Sequence, residues 1–209
     1  MCAAAYQISL FGEDPEVYYD QFFDDNRHRF VLRPTGPASM MRVEGGKRVM
    51  RSLSWGLVPH WAKERKIAYQ TFNARAETVT EKPAFRDSFK TRRGILVWDS
   101  YVEWRDENGV KTPYEFGLIE PGPICCAGLF ASWGFGNELF ESCTLITCPP
   151  NDLASQFHDR MPVILAKRDF DQWLDPEAER TGLLALLTSY QPEKMKVKRA
   201  NPDDFRKKK

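Results

Sequence analysis

Histidine is scarce, with three in 209 residues (His28, His60 and His158), and no two cysteines stand in a C-x-x-C pair. A cysteine zinc site is built on that pairing, so its absence argues against zinc. The five cysteines, Cys2, Cys125, Cys126, Cys143 and Cys148, are an odd set in a chain large enough to bury a core, which also excludes a disulfide framework. No apolar run approaches the roughly 20 residues of a membrane span, and no charged-then-apolar leader opens the chain. There is no internal repeat and no low-complexity linker. These absences predict a soluble cytoplasmic protein that works without metal, cofactor or membrane, as a monomer.

The punctuation of the chain is regular enough to place elements. Tyr6 to Phe11 reads as a strand, and Asp14-Pro15 opens a helix with Val17, Tyr18, Phe22 and Phe23 on its apolar side. Ser39 to Val43 and Arg48 to Trp55 flank Glu44-Gly45-Gly46-Lys47, a hairpin signal. A helical stretch is expected around Pro83 to Lys90. After it, Gly94 to Trp104 pairs with Val110 to Ile119, and Ile124 to Trp133 pairs with Leu139 to Thr147. Asn151 to Phe157 reads as a helical turn or two, and Pro162 to Leu165 as a strand. Helices over Arg168 to Leu174 and Glu177 to Ser189 close the fold, the second burying Leu183, Leu184, Leu186 and Leu187. The expectation is an α+β fold: one domain over residues 1–200, built on a curved, largely antiparallel, barrel-like β-sheet with peripheral helices, and a flexible basic tail over 201–209.

Net charge is only +1, yet its distribution is uneven. Between Arg27 and Arg93 stand sixteen Lys and Arg against five acids, so the remainder of the chain is acidic. Such a segment, interleaved with Trp55, Trp61, Tyr69 and Phe72, suits a single-stranded nucleic acid, whose phosphates need cations and whose bases stack on rings. A solvated face balanced by the acidic remainder is the competing reading.

Three places carry chemistry. If Met1 is trimmed, Cys2 presents an α-amine beside a thiol, a pair that attacks an aldehyde first as amine to give a Schiff base and then as thiol to close a thiazolidine. Glu103, in Tyr101-Val102-Glu103-Trp104, is an acid in an apolar strand; on the strand's alternation it shares a face with Tyr101, where burial would raise its pKa. His158 sits in Phe157-His158-Asp159-Arg160-Met161-Pro162, where its neighbours could set its protonation. Asn73 adds a neutral hydrogen-bonding group within the basic segment, with Arg75 on the same side of an extended chain.

Five blocks stand in the order and spacing of one family: Asn73 to Thr78, Pro83 to Arg86, Tyr101 to Trp104, Ala127-Gly128-Leu129 and His158 to Leu165. Over Cys2 to Trp173 the chain resembles the SOS response-associated peptidase (SRAP) proteins. That resemblance implies a protein that loses Met1 by self-cleavage and captures the aldehyde of abasic sites in single-stranded DNA as a Cys2 thiazolidine crosslink, with lyase activity by a related Schiff-base route. It implies Cys2 as nucleophile, Asn73 orienting it, Glu103 opening the sugar as acid/base, and His158 shuttling protons. It further implies phosphate contacts by Arg75 and Arg160, stacking by Trp61, and a site lined by Thr147 and Pro34, with Arg86 in the basic surface and the protein on the nucleoid when bound to DNA. The chain departs from the family in Cys2-Ala3-Ala4, where Cys-Gly-Arg is usual, and in Val97-Trp98-Asp99-Ser100, where Pro-Ala-Asp-Gly is usual. Arg33 is the candidate to replace the lost charge. Two other readings stay open: an amidase or peptidase with Cys2 as nucleophile, and a non-catalytic single-stranded-DNA-binding module.

Overall fold

The computed structural model describes residues 2–8, 29–134 and 139–206, so the helix expected at Asp14-Pro15 lies outside the described residues, as does His28. The Gly-Gly turn behaves as its sequence demands. Gly45 and Gly46 have φ of 56° and 78°, the mirror-image turn that matches strand twist, and they join β3 (Pro37–Glu44) to β4 (Lys47–Trp55) in register Glu44 to Lys47.

This hairpin is the start of a closed barrel. β3 pairs with β6 (Arg93–Trp98), β6 with β9 (Ile124–Trp133), and β9 with β10 (Phe140–Cys148), all antiparallel. β10 then returns to β4 in parallel, Ser142 opposite Ser54, and closes five strands into a ring. Gly94 and Gly128 face each other across β6 and β9. A Cβ at Gly94 would stand 2.6 Å from Met40 Sδ, and one at Gly128 would stand 2.9 Å from Met40 Cε, so the glycine pair makes the space that Met40 fills. Two short strands extend β10: β5 (Asn73–Arg75) in parallel and β11 (Met161–Pro162) antiparallel.

An open antiparallel sheet lies beside the barrel in the order β12 (Met195–Arg199), β8 (Val110–Leu118), β7 (Ser100–Glu107), β1 (Ala4–Ile8), β2 (Arg29–Leu32). Its outer face carries Ala4, Tyr6 and Val102, over which the Pro202–Phe205 turn folds. Tyr6 donates its hydroxyl to Asp204 Oδ2 at 2.6 Å, and Phe205 packs edge-on to Tyr6 and Trp104. The helices are short and peripheral: α1 (Ala68–Thr71), α2 (Arg86–Thr91), α3 (Phe170–Leu174) and α4 (Arg180–Ala185). No helix among the described residues is long and apolar enough to cross a membrane.

The mixed, strand-dominated single domain is the expected fold class, and three elements differ from expectation. The strand expected over Gly94 to Trp104 is two strands, β6 in the barrel and β7 in the open sheet, broken at Asp99, whose N–H donates to Tyr6 O at 2.9 Å. Every residue of β6 is buried, so its hydropathy runs on into β7 without a mark where the pairing partners change. The strand expected over Pro162 to Leu165 is reduced to β11 and a single bridge from Ile164 to Cys126. The last helix spans only Arg180–Ala185; it buries Leu183 and leaves Leu184 exposed, because so short a helix presents only one stripe to the core, and Leu187 is buried beyond its end.

Candidate active site at the amino end of β1

Cys2 stands two residues before β1, whose ladder to β7 pairs Ala4 with Val102 and Ala5 with Tyr101. Continued by one residue, that register sets Glu103 beside Ala3. The Cys2 side chain is buried in the main core, and its thiol points to Ala4 O at 3.6 Å. Burial, then the nearby Glu103 carboxyl, push the thiol pKa well above its ordinary value, so the sulfur holds its proton at neutral pH.

Asn73 reaches the same point from the barrel. Its Nδ2 donates to Cys2 O at 2.7 Å. Its own position is set by the preceding carbonyl, since Phe72 O accepts both the Trp55 indole N–H at 2.8 Å and the Leu145 N–H at 3.0 Å. Two hydrogen bonds to core strands thus fix the residue that holds the Cys2 backbone.

Glu103 is 3 % exposed, and its Oε1 has no hydrogen-bond partner among the described residues. Burial, with the negative charge of Asp159 adding to it, raises the carboxyl pKa from 4.5 to about 7. Asn73 Oδ1 and the Tyr101 hydroxyl are likewise buried and unpartnered among the described residues. A native core rarely leaves several such atoms together unless something else fills the space between them.

The loop before β11 supplies the fourth candidate. His158 Nδ1 accepts the Arg160 N–H at 3.0 Å and lies 2.7 Å from Asp159 Oδ1. Burial outweighs Asp159 and lowers the imidazole pKa, which favours the neutral ring at pH 7. Phe157, next to His158, packs edge-on to Phe116 of β8 with centroids 5.1 Å apart, and Phe116 stacks on Tyr101 of β7, so this loop lies against the open sheet on the strand that carries Glu103. The structure therefore brings together Cys2, Asn73, Glu103 and the His158 loop from four distant stretches of sequence.

The residues expected to hold DNA divide. Arg75 is exposed on β5, opposite Thr147 in the β5–β10 register. Arg160 is already engaged: it forms a two-pronged pair with Glu77 at 2.6 and 2.9 Å and donates to Thr147 O at 2.6 Å. Thr147 is buried, its hydroxyl turned to Ala74 O at 3.3 Å, so it meets Arg160 mainly through its carbonyl. Arg33 is exposed beside half-buried Pro34, in the loop flanking the start of β1, and donates to Phe205 O at 2.8 Å. Trp61 is half exposed and borders a cavity of about 110 Å³ with His60, Pro83 and Arg92, whose lining includes none of the four residues around β1. Arg86 is exposed at the start of α2, 3.8 Å from the Asp87 carboxylate.

Several other cations of the basic stretch serve the architecture. Arg42, 8 % exposed, sits between Glu44 and Glu141 over the Phe130 ring. Arg93 is buried and donates to the carbonyls of Phe89 and Trp173, tying α2 to α3. Arg29, Arg48 and Arg51 pair with Glu115, Asp171 and Glu44. The stretch is less free to meet phosphates than its composition suggests. Sequence reasoning also missed the pairing of Glu77 with Arg160, for which no local pattern gave a signal.

The chain matches the family model described as SOS response associated peptidase (SRAP) over residues 6–203. It is 36 % identical over 204 residues to the abasic site processing protein YoqW of Bacillus subtilis, covering 94 % of this chain and 91 % of that one. It is 33 % identical over 157 residues to the abasic site processing protein HMCES of Xenopus tropicalis, covering 64 % of this chain and 47 % of that one. Among solved structures, a protein of Bacteroides thetaiotaomicron superposes with a TM-score of 0.76 at 26 % identity, covering 91 % of this chain and 84 % of the other. A protein of Bordetella bronchiseptica gives the same TM-score at 22 % identity, over 94 % and 99 %, which bears on the fold alone. With the family model spanning nearly its whole length and curated relatives above 30 % identity covering almost all of it, the chain belongs to the SRAP family.

Proposed function

We propose that this protein processes abasic sites in single-stranded DNA by covalent capture at Cys2 after loss of Met1. The observation that carries the reading is the buried Glu103 carboxyl, its Oε1 unpartnered among the described residues and its pKa about 7, near a Cys2 whose backbone Asn73 holds. The names of its relatives support the substrate.

An abasic sugar is mostly a closed hemiacetal, so a proton donor must open it before an amine can attack. Glu103 is present in both protonation states at neutral pH, as that task and the return of the proton require. The α-amine of Cys2 then adds to the aldehyde and water leaves as the Schiff base forms. The thiol, kept protonated by burial, attacks second and closes the thiazolidine. Asn73 fixes the backbone to which both nucleophiles belong, and neutral His158 relays protons. Elimination from the Schiff base in place of ring closure accounts for a lyase activity, and removal of Met1 by the same groups accounts for a peptidase-like one.

The test is incubation with a single-stranded oligonucleotide carrying one abasic site, resolved on a denaturing gel with intact-mass analysis. The wild type gives a heat-stable adduct, Cys2→Ala gives none, and Glu103→Gln forms it more slowly by about 10²- to 10⁴-fold. Absence of adduct from protein whose mass confirms loss of Met1 rules the reading out in favour of a non-covalent DNA-binding module.

A further inference from the structure

The two ladders that hold β1 stop short of the nucleophile. Pairing to β2 begins at Ala5 and pairing to β7 at Ala4, so Cys2 and Ala3 extend beyond both. Asn73 holds the Cys2 carbonyl, and the barrel side of β1 is fixed through Gln7. Gln7 Oε1 accepts the Ser39 N–H at 2.8 Å, and its Nε2 donates to Pro37 O at 3.1 Å.

The opposite face of β1 is held by the far end of the chain. Ala4 and Tyr6 are buried there with Val102, and Phe205 packs against this cluster. The Phe205 ring meets those of Tyr6 and Trp104 edge-on, with centroids 5.9 and 5.3 Å away. Tyr6 donates its hydroxyl to Asp204 Oδ2 at 2.6 Å, across 198 positions of sequence, and Arg33 donates to Phe205 O at 2.8 Å. The turn is shaped before it docks: Pro202 opens it, and Asn201 Oδ1 accepts the Asp203 N–H at 3.1 Å.

We infer that the Pro202–Phe205 turn is a clamp that positions Cys2 for capture, with Tyr6, Asp204 and Phe205 as positioning residues. The inference rests on the capture reading. An amine and a thiol on one residue must reach the same carbon in succession while Glu103 serves the reacting oxygen, and a strand end free to shift loses that alignment. A displacement of about 1 Å can cost as much as 10²-fold in rate. The clamp touches no substrate and acts only through the backbone of β1.

The experiment follows single-turnover capture of the abasic oligonucleotide by the full chain, with loss of Met1 verified by mass. Protein concentration is varied, at a temperature where circular dichroism shows every variant folded. Phe205→Ala and Asp204→Ala are expected to lower the saturated rate about tenfold and about fivefold, with the half-saturating concentration within about twofold of wild type. Asp204→Asn keeps an acceptor for the Tyr6 hydroxyl and is expected to stay within about twofold of wild type. Asp204→Ala combined with Tyr6→Phe is expected to be no slower than Asp204→Ala alone, because both remove one contact. An unchanged saturated rate in Phe205→Ala and Asp204→Ala overturns the inference even where the melting temperature falls, since the turn then only stabilises the fold. A loss confined to the half-saturating concentration also overturns it and assigns the turn to DNA binding. A wild type that forms no adduct removes the capture reading and this inference together; normal capture by wild type beside unaffected variants removes only the inference.

Discussion

Glu103 sits in a core that offers its Oε1 no donor, and the same burial that suits it to acid/base work makes it a cost to the fold once it ionises. Its folded pKa of about 7 lies above the unfolded value near 4.5. The protonated form is therefore favoured by folding: that contribution is fully present below the unfolded pKa and is lost as pH rises through about 7. Glu103→Gln removes the titration, so denaturant unfolding is expected to find the variant more stable than wild type at about pH 8, by up to roughly 3 kcal/mol, and little different at about pH 4. An equal difference at both pH values would contradict the assignment. The sequence marked Glu103 as an acid in an apolar strand, and Cys2 as an aminothiol once Met1 is gone.

The barrel depends on a small element pair. Gly94 and Gly128 lie opposite each other on β6 and β9 and leave room for Met40, so Gly128→Ala pushes a methyl against Met40 and the Thr144 carbonyl, each 2.9 Å from the added Cβ. The substitution is expected to cost about 1–3 kcal/mol in denaturant unfolding. Combined with Met40→Ala, the cost is expected to fall short of the sum of the two single changes, because the two share one space. Elements bounded by turn residues were legible: the β3–β4 hairpin at Gly45-Gly46, the β7–β8 hairpin at Asn108-Gly109, and α2 after Pro83. The break between β6 and β7 was not, since a strand buried on both faces shows no alternation to mark where it leaves one sheet for another.

At the scale of the whole molecule, the basic third of the chain separates into cations spent on folding and cations left for a partner. Arg42, between two carboxylates, belongs to the first group, and exposed Arg75 beside the candidate site to the second. Binding to single-stranded DNA across a salt series is expected to lose about 0.7 of its logarithmic slope in Arg75→Gln, one phosphate contact's worth. Arg42→Met is expected to leave the slope unchanged while lowering stability by about 1–3 kcal/mol, because it removes the cation that Glu44 and Glu141 share. Equal slopes for wild type and Arg75→Gln would remove Arg75 from the DNA surface.

Hydropathy, turn residues and the spacing of motifs were enough to read a single α+β domain, its largely antiparallel strands and the candidates Cys2, Asn73, Glu103 and His158, because those signals reside in neighbouring residues. The seam between β4 and β10 that closes the barrel, the Asn73 hydrogen bond to Cys2 across 71 residues of chain, and the pairing of Arg160 with Glu77 depend on contacts between remote segments. No local pattern encodes such contacts. They arise when burial and hydrogen-bond satisfaction are met for the whole core at once, and that same global packing leaves Glu103 Oε1 with no partner among the described residues.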